Sequence, residues 1–198
     1  KNVLCIATKQ DTAKNMVTKV KFMYENLPSW LRIDAPENNK LTLRLSNGSQ
    51  IKATAASSDA GRSEAVSLLL IDEAAFIDNI GEIWASAQQT LATGGGCIAL
   101  STPYGTGNWF HQTWVRAENS ENQFLPIKLP WFVHPERDQE WRDTQDKLLG
   151  DPRMAAQECD CDFSTSGDIV FYPEYISFYE QTYLKDPLEK RGAHQNLW

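Results

Sequence analysis

The sequence predicts an α/β protein with a mostly parallel sheet flanked by helices, and three observations carry that reading. Short unbroken apolar runs recur at residues 3–8, Leu68–Asp72 and 97–101, with the length and composition of strands buried on both faces. Segments with apolar residues near helical spacing lie between them. Strands that alternate with helices need crossover connections, which pair strands in parallel with a right-handed path. Two of the runs end in polar clusters, Asp72-Glu73 and Ser101-Thr102. The carboxyl edge of such a sheet is where open α/β proteins bind ligands.

The elements follow in order. Residues 3–8 read as the first buried strand. In 11–27, Ala13, Met16, Val17, Val20, Met23 and Tyr24 fall on one helical stripe, and Pro28 closes the helix. Residues 41–45 and 49–54 alternate with period two on either side of Asn47-Gly48, the strongest short hairpin signal. A small-residue loop over 55–61 leads to the strand Leu68–Asp72. A helix spans about Ile80–Leu91, and Gly94-Gly-Gly96 breaks it. The strand 97–101 and a helix over 108–118 come next. Residues 124–129 read as a last strand, and 138–149 and 152–158 as helices. After Ser164-Thr-Ser-Gly167 the texture becomes aromatic-rich and aperiodic. We therefore expect one unit over 1–162, with its own C-terminal subdomain, and a linker with the start of a second unit over 163–198.

Composition narrows the classes. A hydrophobic content of 41% supports a packed core, while no run approaches the roughly 18 apolar residues of a membrane helix. The formal charge of −7 leaves no global footprint for nucleic acid, so any DNA contact is local or lies elsewhere. Lys1-Asn-Val-Leu-Cys-Ile has no signal-peptide features. Cys5 and Cys97 sit in apolar runs and read as small core residues, and Cys159-Asp-Cys161 lacks zinc-site spacing. This usage fits a reducing, cytosolic setting. A chain that opens inside a strand without an initiator Met, and stops on His194-Gln-Asn-Leu-Trp198, reads as a piece of a longer protein.

The strongest chemical signal is Leu68-Leu-Leu-Ile-Asp72-Glu73. Two carboxylates at the tip of a buried strand carry a desolvation cost that a merely structural strand avoids. This is the form of a Walker B strand, whose Asp helps hold Mg²⁺ and whose Glu orients or deprotonates the attacking water. The plain alternative is a buried strand running into a helix start, where acids suit the dipole. Ser101-Thr-Pro-Tyr-Gly-Thr-Gly-Asn108 begins 28 residues after Glu73. Hydroxyls at such a tip can sense a γ-phosphate, although the same residues also make an ordinary turn. Arg62, in Asp59-Ala-Gly-Arg-Ser-Glu64, stands eleven residues before Glu73. It suits an arginine finger aimed at a neighbouring site, or a solvated Arg paired with Glu64. Lys9 and Lys14 follow the first strand and can face phosphate or water. Trp131, Phe132, Trp141 and Arg137 can stack on bases or pack a subdomain. His111, His134 and His194 show no metal spacing. No Gly-x-x-x-x-Gly-Lys-Ser/Thr occurs, so the phosphate-cradling half of a nucleotide site is missing and would have to precede Lys1.

Taken together, these motifs resemble the large terminase subunit of tailed bacteriophages and prophages. Leu68–Asp72 with Glu73-Ala-Ala-Phe-Ile77 resembles that family's Walker B segment. Ala99-Leu-Ser-Thr-Pro-Tyr-Gly105, followed by Asn108-Trp-Phe, resembles its coupling motif, and Arg62 stands at the position of its proposed trans-acting finger. Trp131-Phe-Val-His-Pro-Glu-Arg-Asp138 and Gln157-Glu-Cys-Asp-Cys-Asp-Phe163 resemble the stretch leading into its nuclease domain. The resemblance implies a P-loop NTPase-like (ASCE/RecA-like) sheet and the start of an RNase H-like nuclease domain. It implies Asp72 as the Mg²⁺ ligand of Mg-ATP, Glu73 as the catalytic carboxylate, Ser101 and Thr102 as coupling residues, and Arg62 as a finger in trans. The implied protein is an ATP-driven motor that translocates viral double-stranded DNA into procapsids and cuts concatemers. Its implied partners are DNA, the terminase small subunit, the portal protein and further copies in a ring on the procapsid, with no membrane, in the cytoplasm of an infected bacterium. Residues 1–198 alone are expected to hydrolyse no ATP. Two alternatives stand beside this reading: a DExx-type helicase or translocase, and a non-catalytic prophage remnant that binds portal or small subunit.

Overall fold

A computed structural model describes residues 1–57, 60, 65–91 and 94–163, with Tyr175, Phe178, Tyr179, Thr182 and Tyr183. In chain order they form β1 (Asn2–Ala7), α1 (Gln10–Glu25), β2 (Glu37–Asn39), β3 (Thr42–Arg44), β4 (Gln50–Ala55), β5 (Leu68–Asp72), α2 (Ile80–Leu91), β6 (Gly96–Leu100), α3 (Trp109–Glu118), α4 (Gln139–Leu149) and α5 (Pro152–Ala155). The strands make one sheet in the order β2-β3-β4-β1-β5-β6. The four strands from β4 to β6 are parallel, and β2 and β3 run antiparallel at the other end. The expected mixed, mostly parallel α/β sheet is present.

Alternation along β1 divides the core between the two faces. Ile6 joins Leu69, Ile71, Ile83, Ala87 and Phe110 under α2 and α3. Cys5 and Ala7 pack on the opposite face against Ala13 and Val17 of α1. Leu69 and Ile71 are fully buried. Burial of such side chains contributes about 1.5–3 kcal/mol each. A one-residue slip of β5 would carry Leu69 and Ile71 to the opposite face under α1 and unpack both clusters. The register that packs the core is thus the register that delivers Asp72 to the sheet edge.

The Asn47-Gly48 hairpin joins β3 to β4, with Gly48 at φ 82° and the Asn47 side chain accepting from the Ser49 N–H at 2.9 Å. The glycines after α2 have a steric cause. Gly94 sits at φ 95°, and a Cβ on Gly95 would come within 2.4 Å of the Val66 carbonyl oxygen. They turn the chain into β6.

Two elements depart from expectation. Strand β2 has the sequence Glu-Asn-Asn, poor strand formers, and exists through its pairing with β3. The Asn39 side chain closes the turn by accepting from the Leu41 and Thr42 N–H groups at 2.9 Å. Residues 124–129 are not a strand. They run without a ladder partner among the described residues, and Leu125, Ile127 and Leu129 are exposed. Period-two alternation marks extended chain, but a strand also needs a neighbouring backbone.

Beyond α3, Asp138 caps α4 through the Trp141 N–H, Gly150 ends it at φ 68°, and Asp151 caps α5 with Pro152 at its first position. The helix expected over 152–158 is α5 continued by a π-turn, Ala156–Asp160. Arg142 ties this turn to α4. Its guanidinium is largely buried and donates to both oxygens of Asp160, at 3.1 and 2.9 Å, and to Asp146. Phe163 packs on Phe110, His111 and Trp114 of α3. The linker and second unit expected over 163–198 lie almost wholly outside the described residues.

Candidate active site

Asp72 ends β5 opposite Leu100 of β6, so Glu73 and Ser101 leave the sheet side by side. Glu73 takes the left-handed conformation, φ 54° and ψ 44°. For a residue with a side chain this costs about 1–2 kcal/mol, and it persists only where the surroundings dictate it. Here Ala74, Ala75 and Ile77 are buried beneath the turn. The Phe76 N–H donates to the Glu73 carbonyl at 2.9 Å. Ser101 Oγ accepts from the Ala75 N–H at 3.2 Å and reaches Glu73 Oε2 at 3.5 Å. One hydroxyl thus bridges the two strand tips.

The Glu73 carboxyl is held above the ordinary carboxylate range. Burial does most of this, followed by the negative charge of Asp72 and then that of Glu158, while the Ser101 hydrogen bond acts in the opposite direction. Glu158 was not singled out by sequence. It sits on the π-turn and lines, with Glu73, Ser101 and Thr102, a cavity of about 790 Å³ beside β6. The run Glu158-Cys-Asp-Cys-Asp162 carries no periodic signal for this placement, which depends on the Arg142 clamp and the π-turn. π-turns concentrate at functional sites.

The donor set fits Mg²⁺. Carboxylate and hydroxyl oxygens are hard ligands, and Asp72, Glu73 and Ser101 present them at adjacent strand tips. Among the described residues no group of three or more His, Cys, Asp or Glu could hold a metal ion.

Other candidates fall elsewhere. Arg62 lies outside the described residues. Lys14 bonds to Asp11 at 2.8 Å. Trp131 stacks on Trp141 at 6.3 Å, and Arg137 lies 4.4 Å over the Trp141 ring, so this cluster packs on itself. His134 accepts from the Glu136 N–H in a turn, and His111 from the Gly107 N–H. Burial pushes the Cys97 thiol up to about 12, and burial with the Asp72 charge pushes Cys5 up to about 11, as suits inert core residues. No helix among the described residues is long and apolar enough to cross a membrane.

Comparison with known proteins places the fold. A solved ATPase domain of the Thermus phage P74-26 large terminase is 22% identical, with a TM-score of 0.58 over 82% of this chain and 76% of that one. A mutant of the same domain superposes with a TM-score of 0.64 at 21% identity, over 82% and 77% of the two chains. The HK97 bacteriophage large terminase is 15% identical with a TM-score of 0.59, and the match covers 84% of this chain and 40% of that one. A large terminase from a thermophilic bacteriophage, solved in complex with ADP, is 10% identical with a TM-score of 0.64, over 83% and 41%. The chain therefore spans about two fifths of these last two proteins. These likenesses show the fold of a terminase ATPase domain. The family model for the terminase large subunit, T4likevirus-type, N-terminal, matches residues 1–178, and the chain belongs to that family.

Proposed function

We propose that this chain carries the hydrolytic half of an ATP-driven DNA-packaging motor. The observation that carries the reading is the paired strand tips: Asp72 and Glu73 on an inner parallel strand, bridged by Ser101 to the next strand. Asp72 holds Mg²⁺ with ATP, as hard oxygen donors at a strand tip suit. Such an ion, held there by Asp72, would supply charge neutralisation for the phosphate. Glu73 accepts the proton of the attacking water, and its raised affinity for a proton suits a general base. Ser101 and Thr102 sense the γ-phosphate and pass its loss to the rest of the domain. Arg62 completes the site of an adjacent subunit in a ring.

Residues 1–162 form the ATPase unit in this reading, and 163–198 lead into a nuclease unit that cuts concatemers. The motor drives double-stranded DNA through the portal protein into a procapsid, with the small subunit, in the cytoplasm of an infected bacterium. Terminase ATPase-domain folds and a relative solved with ADP support it. In the full-length protein, Glu73→Gln is expected to lower ATP hydrolysis about 100-fold or more, with equilibrium ATP binding nearly unchanged. Near-normal turnover would remove Glu73 from this role. Residues 1–198 alone, which contain no phosphate-loop motif, are expected to show no Mg²⁺-dependent turnover.

A further inference from the structure

The geometry points to Phe76 and Tyr104 as a positioning pair that latches the Glu73 turn to the Ser101 turn and so sets the carboxylate for hydrolysis. The inference rests on the reading of Glu73 given above. The two rings meet at 4.6 Å between centroids with a 35° tilt. Both are substantially exposed, at 36% and 45%. Two half-exposed rings in contact across two loops add little to a core, so the use of the contact lies in what it connects.

Each ring stands at the end of a short, anchored lever. On one side, Phe76 lies three residues after Glu73, and its N–H closes the turn by donating to the Glu73 carbonyl. Its neighbours Ala75 and Ile77 are buried while its own ring points out. On the other side, Tyr104 lies three residues after Ser101, with Pro103 between them fully buried. The Asn108 side-chain amide donates to the Tyr104 carbonyl at 2.6 Å, and the same side chain caps α3 by accepting from the His111 N–H at 2.9 Å. Tyr104 is therefore fixed to α3, and its ring holds Phe76 against that fixed point.

The energies are matched. An aromatic pair contributes more than its burial alone, an amount comparable to the cost of the left-handed Glu73 backbone. Without the ring contact, the Ser101 hydroxyl still links the tips, but its reach to Glu73 is already long at 3.5 Å. Relaxation of the Glu73 backbone then swings the carboxylate away from the hydroxyl turn, and misplacement by about 1 Å is enough to lower turnover about 100-fold. The Tyr104 hydroxyl has no part in this argument; the ring does.

The test is steady-state ATP hydrolysis by the full-length protein carrying Tyr104→Phe, Tyr104→Leu, Phe76→Leu and the double leucine variant, with Glu73→Gln as reference. Tyr104→Phe is expected to stay within about 2-fold of the parent. Each single leucine variant is expected to lose about 3- to 10-fold in kcat with KM for ATP within about 2-fold. The double variant should be no worse than the worse single one, because both remove the same contact. Thermal unfolding of each variant within a few degrees of the parent separates this from misfolding, and leucine keeps apolar bulk at both positions. Parent-like kcat in the leucine variants overturns the inference while leaving Glu73 in place. Equal losses in Tyr104→Phe and Tyr104→Leu also overturn it, by assigning the effect to the hydroxyl. Turnover retained in Glu73→Gln overturns the inference together with the reading beneath it.

Discussion

Glu73 concentrates two unfavourable terms in one residue, a left-handed backbone and a carboxylate that its surroundings disfavour. In the proposed reading both serve chemistry at some expense of stability. Its folded-state proton affinity exceeds the unfolded one, so the stabilising contribution of the protonated form is complete below the unfolded pKa. That contribution is lost as pH rises through the folded value. In nucleotide-free protein, Glu73→Gln is therefore expected to raise the unfolding temperature at pH 8 and to have little effect near pH 4. Solvent screening at this half-exposed group keeps the gain below about 1 kcal/mol, or less than about 4 °C for a chain of this size. A lower unfolding temperature at pH 8 would show that the carboxylate is stabilising instead. The acid pair itself was legible in the sequence, because four aliphatic residues before two acids leave little else for a strand tip to be. The backbone conformation of Glu73 was not, since no local signal distinguishes a left-handed Glu from a helical one.

At the scale of elements, α4 and the π-turn decide whether Glu158 reaches the site. Arg142 joins them through two oxygens of Asp160 and one of Asp146. Charge-assisted hydrogen bonds contribute about 1.5–3 kcal/mol, and an Arg fork that spans two elements cannot be reproduced by the point charge of Lys. Arg142→Ala is expected to lower unfolding free energy by about 2–3 kcal/mol in denaturant titrations, with Arg142→Lys recovering less than half. A loss under about 0.5 kcal/mol would place the connection between α4 and the turn elsewhere. A helix over 138–149 was legible in the sequence, and the structure forms it as α4 with Asp138 and Gly150 as its caps. A last strand was also expected over 124–129, which has no ladder partner among the described residues. Strand β2 was the opposite case, invisible by propensity and formed by pairing alone.

At the scale of the whole molecule, the proposed motor is a ring in which Arg62 of one subunit serves the site of the next. Rings built only from Arg62→Ala subunits, or only from Glu73→Gln subunits, are expected to be inactive. A mixture should regain a measurable fraction of turnover, because some interfaces then pair an intact Arg62 with an intact Glu73. No recovery in mixed rings would count against action in trans. DNA translocation by such a ring rests on phosphate contacts, so it should fall steeply as salt rises.

The sequence by itself determined the fold class, the buried strand order along the chain and the identity of the acid and hydroxyl tips. Those properties follow from local composition and spacing, which a linear reading captures. Only the tertiary structure decided that β5 and β6 are neighbours in a register that sets Asp72 opposite Leu100. Only it brought Glu158 to the cavity from 85 residues away, and joined Phe76 to Tyr104. Sheet register, a buried ion-pair clamp and a ring contact between loops each depend on which surfaces meet once the core closes, and that information lies in packing, not in any single segment.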